Sequence, residues 1–103
     1  MRREIASYIL EVAFEMPPFI IKKGSTIDGV IKSIENRKEH VRDSLKESFE
    51  KVEEVLKFAK INRAKFCDCY KGSEGFMNIT LKFENAQEMN NFISCCEEKD
   101  FLC

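Results

Sequence analysis

Tryptophan is absent, histidine occurs once, and glycine occurs four times and proline twice in 103 residues. So few glycines and prolines exclude a collagen-like or low-complexity chain. They also leave no glycine-rich phosphate loop, because Gly72 and Gly75 stand in an expected hairpin rather than between a strand and a helix. The lone His40 lies in a charged run, which rules out a histidine-rich metal centre and leaves cysteine without a nearby base. An excess of one charge is missing as well: Lys plus Arg is 17 against 18 for Asp plus Glu, a net charge of -1. No global basic field is available to hold a phosphate backbone. No apolar run approaches the roughly 18 residues of a membrane span, so no membrane partner is expected. The apolar stretch around Ile9 and Phe14 contains Glu11 and lacks a small-residue cleavage site, which argues against a signal peptide and for a cytoplasmic protein.

What is present is 44% hydrophobic residues, nine of them phenylalanine, and five cysteines. A chain of this length and composition is expected to form one domain, residues 1–103, with a modest core. Residues 5–16 admit two readings. As a strand, Ala6, Tyr8, Leu10, Val12, Phe14 and Met16 form one apolar face, with Ile5, Ser7, Ile9, Glu11, Ala13 and Glu15 on the other. As a helix, Ser7, Glu11 and Glu15 form a polar stripe. The strand is preferred because the alternation is long and rich in β-branched and aromatic residues, and Pro17-Pro18 ends it. Phe19, Ile20 and Ile21 follow as a short edge strand or a packed loop.

Thr26 is a suitable N-cap, and Asp28 suits a first helical turn. Apolar residues then recur at Ile27, Ile31, Ile34, Val41, Leu45, Val52, Val55 and Ala59, which predicts a helix over residues 27–60. Such a helix is about 50 Å long, whereas a six-residue strand covers about 20 Å. Either it breaks in the polar stretch of residues 35–40, or its surplus packs on something else, a second copy of the chain being the simplest candidate.

Residues 64–70 and 76–83 read as a hairpin. With Gly72-Ser73 as a two-residue turn, Tyr70 faces Gly75, and Ala64, Phe66 and Tyr70 share the core face with Met77, Ile79, Leu81 and Phe83. Lys65, Cys67 and Cys69 then join Phe76, Asn78 and Thr80 on the other face, and a one-residue slip would exchange the faces. Asn85 with Glu88 forms a capping-box-like start to a helix over residues 86–98, after which residues 100–103 are a candidate last strand. The expected fold class is α+β, a ferredoxin-like split β-α-β-β-α(-β) with an antiparallel sheet, two helices on one face and an unusually long first helix. Its open face combines Ile5, Ile9, Ala13, Cys67, Cys69 and Phe76, too apolar for a comfortable solvated surface.

Little in the sequence carries chemistry. Cys67-x-Cys69, the adjacent Cys95-Cys96 and Cys103 lack the C-x2-C knuckle spacing, and adjacent cysteines on a helix point in different directions. The odd count also disfavours a disulfide framework. The cysteines read as small hydrophobes, with a thiolate metal-binding protein as an alternative. The carboxylate pairs Glu53-Glu54 and Glu97-Glu98 diverge on their helices, a poor arrangement for acid and base.

Residues 75–86 contain Gly75, Phe76 and Ile79 at the spacing of a known signature. The stretch resembles the third strand and the start of the second helix in RNA-recognition-motif domains, whose signature puts aromatics on the open sheet face. Glu74 stands where that family has a basic residue, Asn78 where a second stacking aromatic is expected, and Leu81 where a further aromatic falls. Tyr8 is comparable to the remaining stacking residue, and the long first helix departs from the family. The resemblance implies this sheet topology and, as an alternative function, single-stranded RNA binding.

The sequence therefore leads to a non-enzymatic protein-protein interaction module, a homodimeric adaptor or regulatory subunit, with no catalytic residue, metal or cofactor. Ile5, Ile9, Cys67, Cys69 and Phe76 are the expected sheet interface, and Val41 and Leu45 the expected helix pairing. Its partners are a second copy and another protein, with nucleic acid not favoured.

Overall fold

The computed structural model describes residues 2–15, 25–72 and 75–99. Residues 9–15 form the strand that alternation demands: Leu10, Val12 and Phe14 are buried, while Ile9, Glu11 and Ala13 are half-buried on the other side. Residues 5–8 do not extend it. The chain reverses at Ser7-Tyr8, so that β1 (Arg2–Ala6) pairs antiparallel with β2 (Ile9–Glu15), with a bulge at Ile5 between the Glu4–Leu10 and Ala6–Ile9 pairs. Ala6 and Tyr8, expected in the core, are therefore exposed. Met16 and residues 17–24 lie outside the described residues, as does the possible edge strand there.

The predicted helix of residues 27–60 is divided. α1 spans Ile27–Lys38 and α2 spans Asp43–Ile61, and the break falls at the end of the polar stretch. Thr26 caps α1, its hydroxyl accepting from the Gly29 N–H at 3.1 Å. Residues 35–37 have no buried side chain to hold a continuing rod, whereas folding α2 back lets Val52, Val55, Leu56 and Ala59 meet Val30 and Ile34 in one core. Lys38 Nζ reaches Glu53 Oε1 at 3.1 Å across the two helices. At about 18 Å, α1 now matches the sheet, so the surplus length expected to recruit a second copy does not exist. Val41 and Leu45 are half-buried against the core near the connection, rather than on an outward seam.

β3 (Lys65–Lys71) and β4 (Phe76–Lys82) form the second hairpin, and α3 (Ala86–Glu98) follows, capped by Asn85 Oδ1 accepting from the Glu88 N–H at 2.9 Å. The register differs from the two-residue-turn expectation. Phe66 pairs with Leu81, a bulge at Cys67 follows, and beyond it Asp68 pairs with Thr80, Cys69 with Ile79 and Tyr70 with Asn78. Phe66 keeps its place in the core, but the bulge inverts the rest of the strand. Cys69 turns to the helices and Tyr70 turns away from them.

The four strands form one antiparallel sheet in the order β1-β2-β4-β3. The three helices bury their apolar stripes with Leu10, Val12, Phe14, Phe66, Met77, Ile79 and Leu81, and Phe83 and Phe92 meet with ring centroids 5.2 Å apart. Among the described residues the result is an α+β fold with three helices on one side of the sheet. It departs from the expected strand order in that the place beside β2 is filled from the N-terminal side, by β1. Residues 100–103, expected as a last strand, lie outside the described residues.

Candidate functional site

The sheet face that no described helix covers, the uncovered face, consists of four cross-strand rows fixed by the pairings. At one end lie Ala6, Ile9, Lys82 and Lys65. Next come Glu11, Thr80 and Asp68, then Ala13, Asn78 and Tyr70, and at the far end Glu15 and Phe76. Six residues of strand separate the first and last rows, about 20 Å.

The centre of this face is polar. Glu11 accepts hydrogen bonds from Tyr70 Oη at 2.5 Å and from Asn78 Nδ2 at 3.2 Å, which ties β2, β4 and β3 together through one carboxylate. Thr80, buried beneath its neighbours, donates to the Asp68 carbonyl at 3.4 Å. Around this centre stand half-buried Ile9, Ala13 and Phe76, with Tyr70 and, on the β1 bulge, Ile5 exposed at 41% and 46%. The sequence led to a face too apolar for a comfortable solvated surface, built on Ile5, Ile9, Ala13, Cys67, Cys69 and Phe76. The structure keeps Ile9, Ala13 and Phe76 on it, places Ile5 and Cys67 at bulges, and removes Cys69 to the helix side. There, burial, reinforced by the Asp68 charge, raises the Cys69 thiol to about 11. The Glu11–Tyr70–Asn78 cluster was missed because it depends on the bulge at Cys67, which leaves no mark in composition.

One corner of the face has a different character. Lys65 and Lys82 are direct cross-strand partners, an arrangement that like charges disfavour. Beside them is Tyr8, at φ 62, a left-handed conformation that costs a non-glycine residue about 1 to 2 kcal/mol. Two hydrogen bonds hold it there: the Tyr8 N–H donates to Glu4 Oε2 at 3.2 Å, and its carbonyl accepts from the Phe83 N–H at 2.8 Å. Tyr8, Lys65, Lys82, Phe83 and Glu84 line a cavity of about 310 Å³. Tyr8 thus occupies a turn at the sheet's end rather than the stacking position on the face that the family resemblance implies.

His40 is exposed after α1, and Glu53 is buried against Lys38 while its neighbour Glu54 is half-buried. Cys96 is fully buried in the core and Cys95 half-buried, and Cys103 lies outside the described residues. Among the described residues no group of three or more His, Cys, Asp or Glu is placed to hold a metal ion, and no helix is long and apolar enough to cross a membrane. Comparison with protein-family models, curated proteins and solved structures finds no match to this chain.

Proposed function

We propose that the chain is a non-enzymatic protein-protein interaction module, an adaptor or regulatory subunit, that pairs the uncovered face of its sheet with the same face of a second copy. One observation supports this above the rest. Of the four large apolar residues exposed among the described ones, Ile5, Tyr8 and Tyr70 belong to the sheet or its first turn, and only Ile61 belongs to a helix. Half-buried Ile9, Ala13 and Phe76 accompany Tyr70 on the uncovered face. The charges are also self-complementary. Lys65 and Lys82 stand at one end and Glu15 at the other, so a two-fold axis running across the strands brings the lysine end of each copy over the Glu15 end of its partner.

The size of the face decides the strength of such a contact. Four strands of this length cover roughly 450 Å² in projection, below the ~800 Å² per partner of a standard stable interface. The pairing is therefore reversible, in keeping with a regulatory role. The ferredoxin-like reading of the sheet belongs to the same proposal: β2, β4 and β3 keep the order of a split unit, with β1 serving as the edge beside β2.

Sedimentation tests the reading. A Phe side chain of about 200 Å² with roughly a quarter of it still exposed contributes about 1.3 kcal/mol per copy at 25 cal/mol/Å² when that remainder is buried. Because a two-fold contact contains the residue twice, Phe76→Glu weakens pairing by about a hundredfold. Phe76→Glu and Ile9→Glu each sediment as folded monomers where the unaltered protein is dimeric; a variant that remained dimeric would exclude this face.

A further inference from the structure

We propose that the sheet corner bounded by Tyr8, Lys65 and Lys82 is a binding site for a nucleoside monophosphate, with the phosphate between the two ammonium groups and the base against the Tyr8 ring. The proposal does not depend on the chain pairing with itself.

Three independent features meet at this corner. The first is charge: Lys65 and Lys82 are paired directly across β3 and β4, and among the described residues neither has a carboxylate within ion-pair distance. Two lysine side chains rising from directly paired positions can both reach one phosphate, which accepts hydrogen bonds from each. The second is backbone: a two-residue turn readily uses Gly, Asn or Asp in the left-handed position, yet Tyr8 stands there at φ 62 and is 41% exposed. Its N–H and carbonyl are both tied down, so the strained backbone keeps Tyr8 on the lining of the cavity. The third is volume: about 310 Å³ lies at the small end of ligand cavities, room for a ligand with one base and one phosphate.

Glu84 on the lining selects among phosphate ligands. Its carboxylate repels a ligand that is anionic throughout, and it accepts hydrogen bonds from ribose hydroxyls or an exocyclic amine. A phosphate at one end and hydroxyl and amine donors at the other describe a nucleotide better than a free anion.

Backbone-amide NMR titrations with AMP, inorganic phosphate and adenosine at low salt test the site. AMP is expected to give saturable shifts confined to Tyr8, Lys65, Lys82 and their neighbours, with at least about fivefold tighter binding than either fragment. Tyr8→Asn relaxes the turn while removing the ring, and is expected to weaken AMP about fivefold without unfolding; Lys65→Ala combined with Lys82→Ala is expected to weaken it about tenfold or more. Absence of saturation at about 10 mM AMP, equal affinity for phosphate alone, or undiminished binding to Tyr8→Asn would overturn the assignment.

Discussion

Replacing Lys38 by Met tests the folding back of α2 onto α1, which removes the long rod expected from the sequence. Glu53 is 7% exposed, and Lys38 Nζ on the other helix lies 3.1 Å from its Oε1. The methionine keeps most of the apolar stem but leaves a buried carboxylate without its counter-charge. A fully buried pair broken in this way costs about 3 to 5 kcal/mol. The Lys38 side chain retains 28% exposure, and water reaching the site lowers the expected cost to about 2 kcal/mol. In urea, with a slope of roughly 1 to 1.5 kcal/mol/M for a chain of this size, the midpoint falls by about 1.5 M. Adding Glu53→Leu removes the stranded charge and returns stability to within about 1 kcal/mol of the parent. The pH dependence has a definite sign. Contact with the Glu53 carboxylate holds Lys38 above its ordinary value of 10.5, against partial desolvation. The stabilisation on the lysine side is therefore fully present below that value and is lost as pH rises through the raised one. A Lys38→Met cost below about 0.5 kcal/mol, or no rescue by the second substitution, would refute this arrangement of the two helices.

Other outcomes follow from the same geometry. Tyr8→Asn places a residue that tolerates the left-handed region at φ 62, so calorimetry is expected to show an unchanged or higher Tm, by up to about 4 °C; a clear fall would mean that the ring carries stability. Cys69, with its thiol raised to about 11, is expected to react with iodoacetamide near pH 8 roughly a hundredfold more slowly in the folded protein than in urea, as peptide mass spectrometry would read; equal rates would contradict its place on the helix side. Saturating AMP is expected to lower the dimer fraction in sedimentation, because phosphate and the partner's Glu15 compete for Lys65 and Lys82; unchanged association would separate the two sites.

Much of the fold was legible where period and capping agree. Leu10, Val12 and Phe14 were readable from strict alternation, and both Thr26 and Asn85 cap the helices expected of them. Breaking the helix at residues 39–42 was one of two outcomes the polar stretch allowed, since the 3-4 spacing of Ile34, Lys38, Val41 and Leu45 runs through it with only Lys38 polar. The turn at Ser7-Tyr8 was illegible for a physical reason: it lacks glycine, asparagine and proline, so the alternation of residues 5–16 continues across a chain reversal. The bulges at Ile5 and Cys67 each insert one residue, which exchanges the faces of everything beyond without changing composition. That single shift at Cys67 brought Tyr70 to Glu11, put Asp68 on the open face and turned the expected interface cysteine inward. The expectation of a sheet with helices on one side followed from topology, while half the membership of its other face depended on register.

Sedimentation equilibrium of the unaltered protein across a concentration series, from about 1 μM to a few hundred μM, tests the central claim most directly. Pairing through a sheet face of this size predicts a monomer–dimer equilibrium with its midpoint in the micromolar range, abolished by Phe76→Glu. A chain that remains monomeric throughout, or whose dimer survives a charge at position 76, contradicts the account.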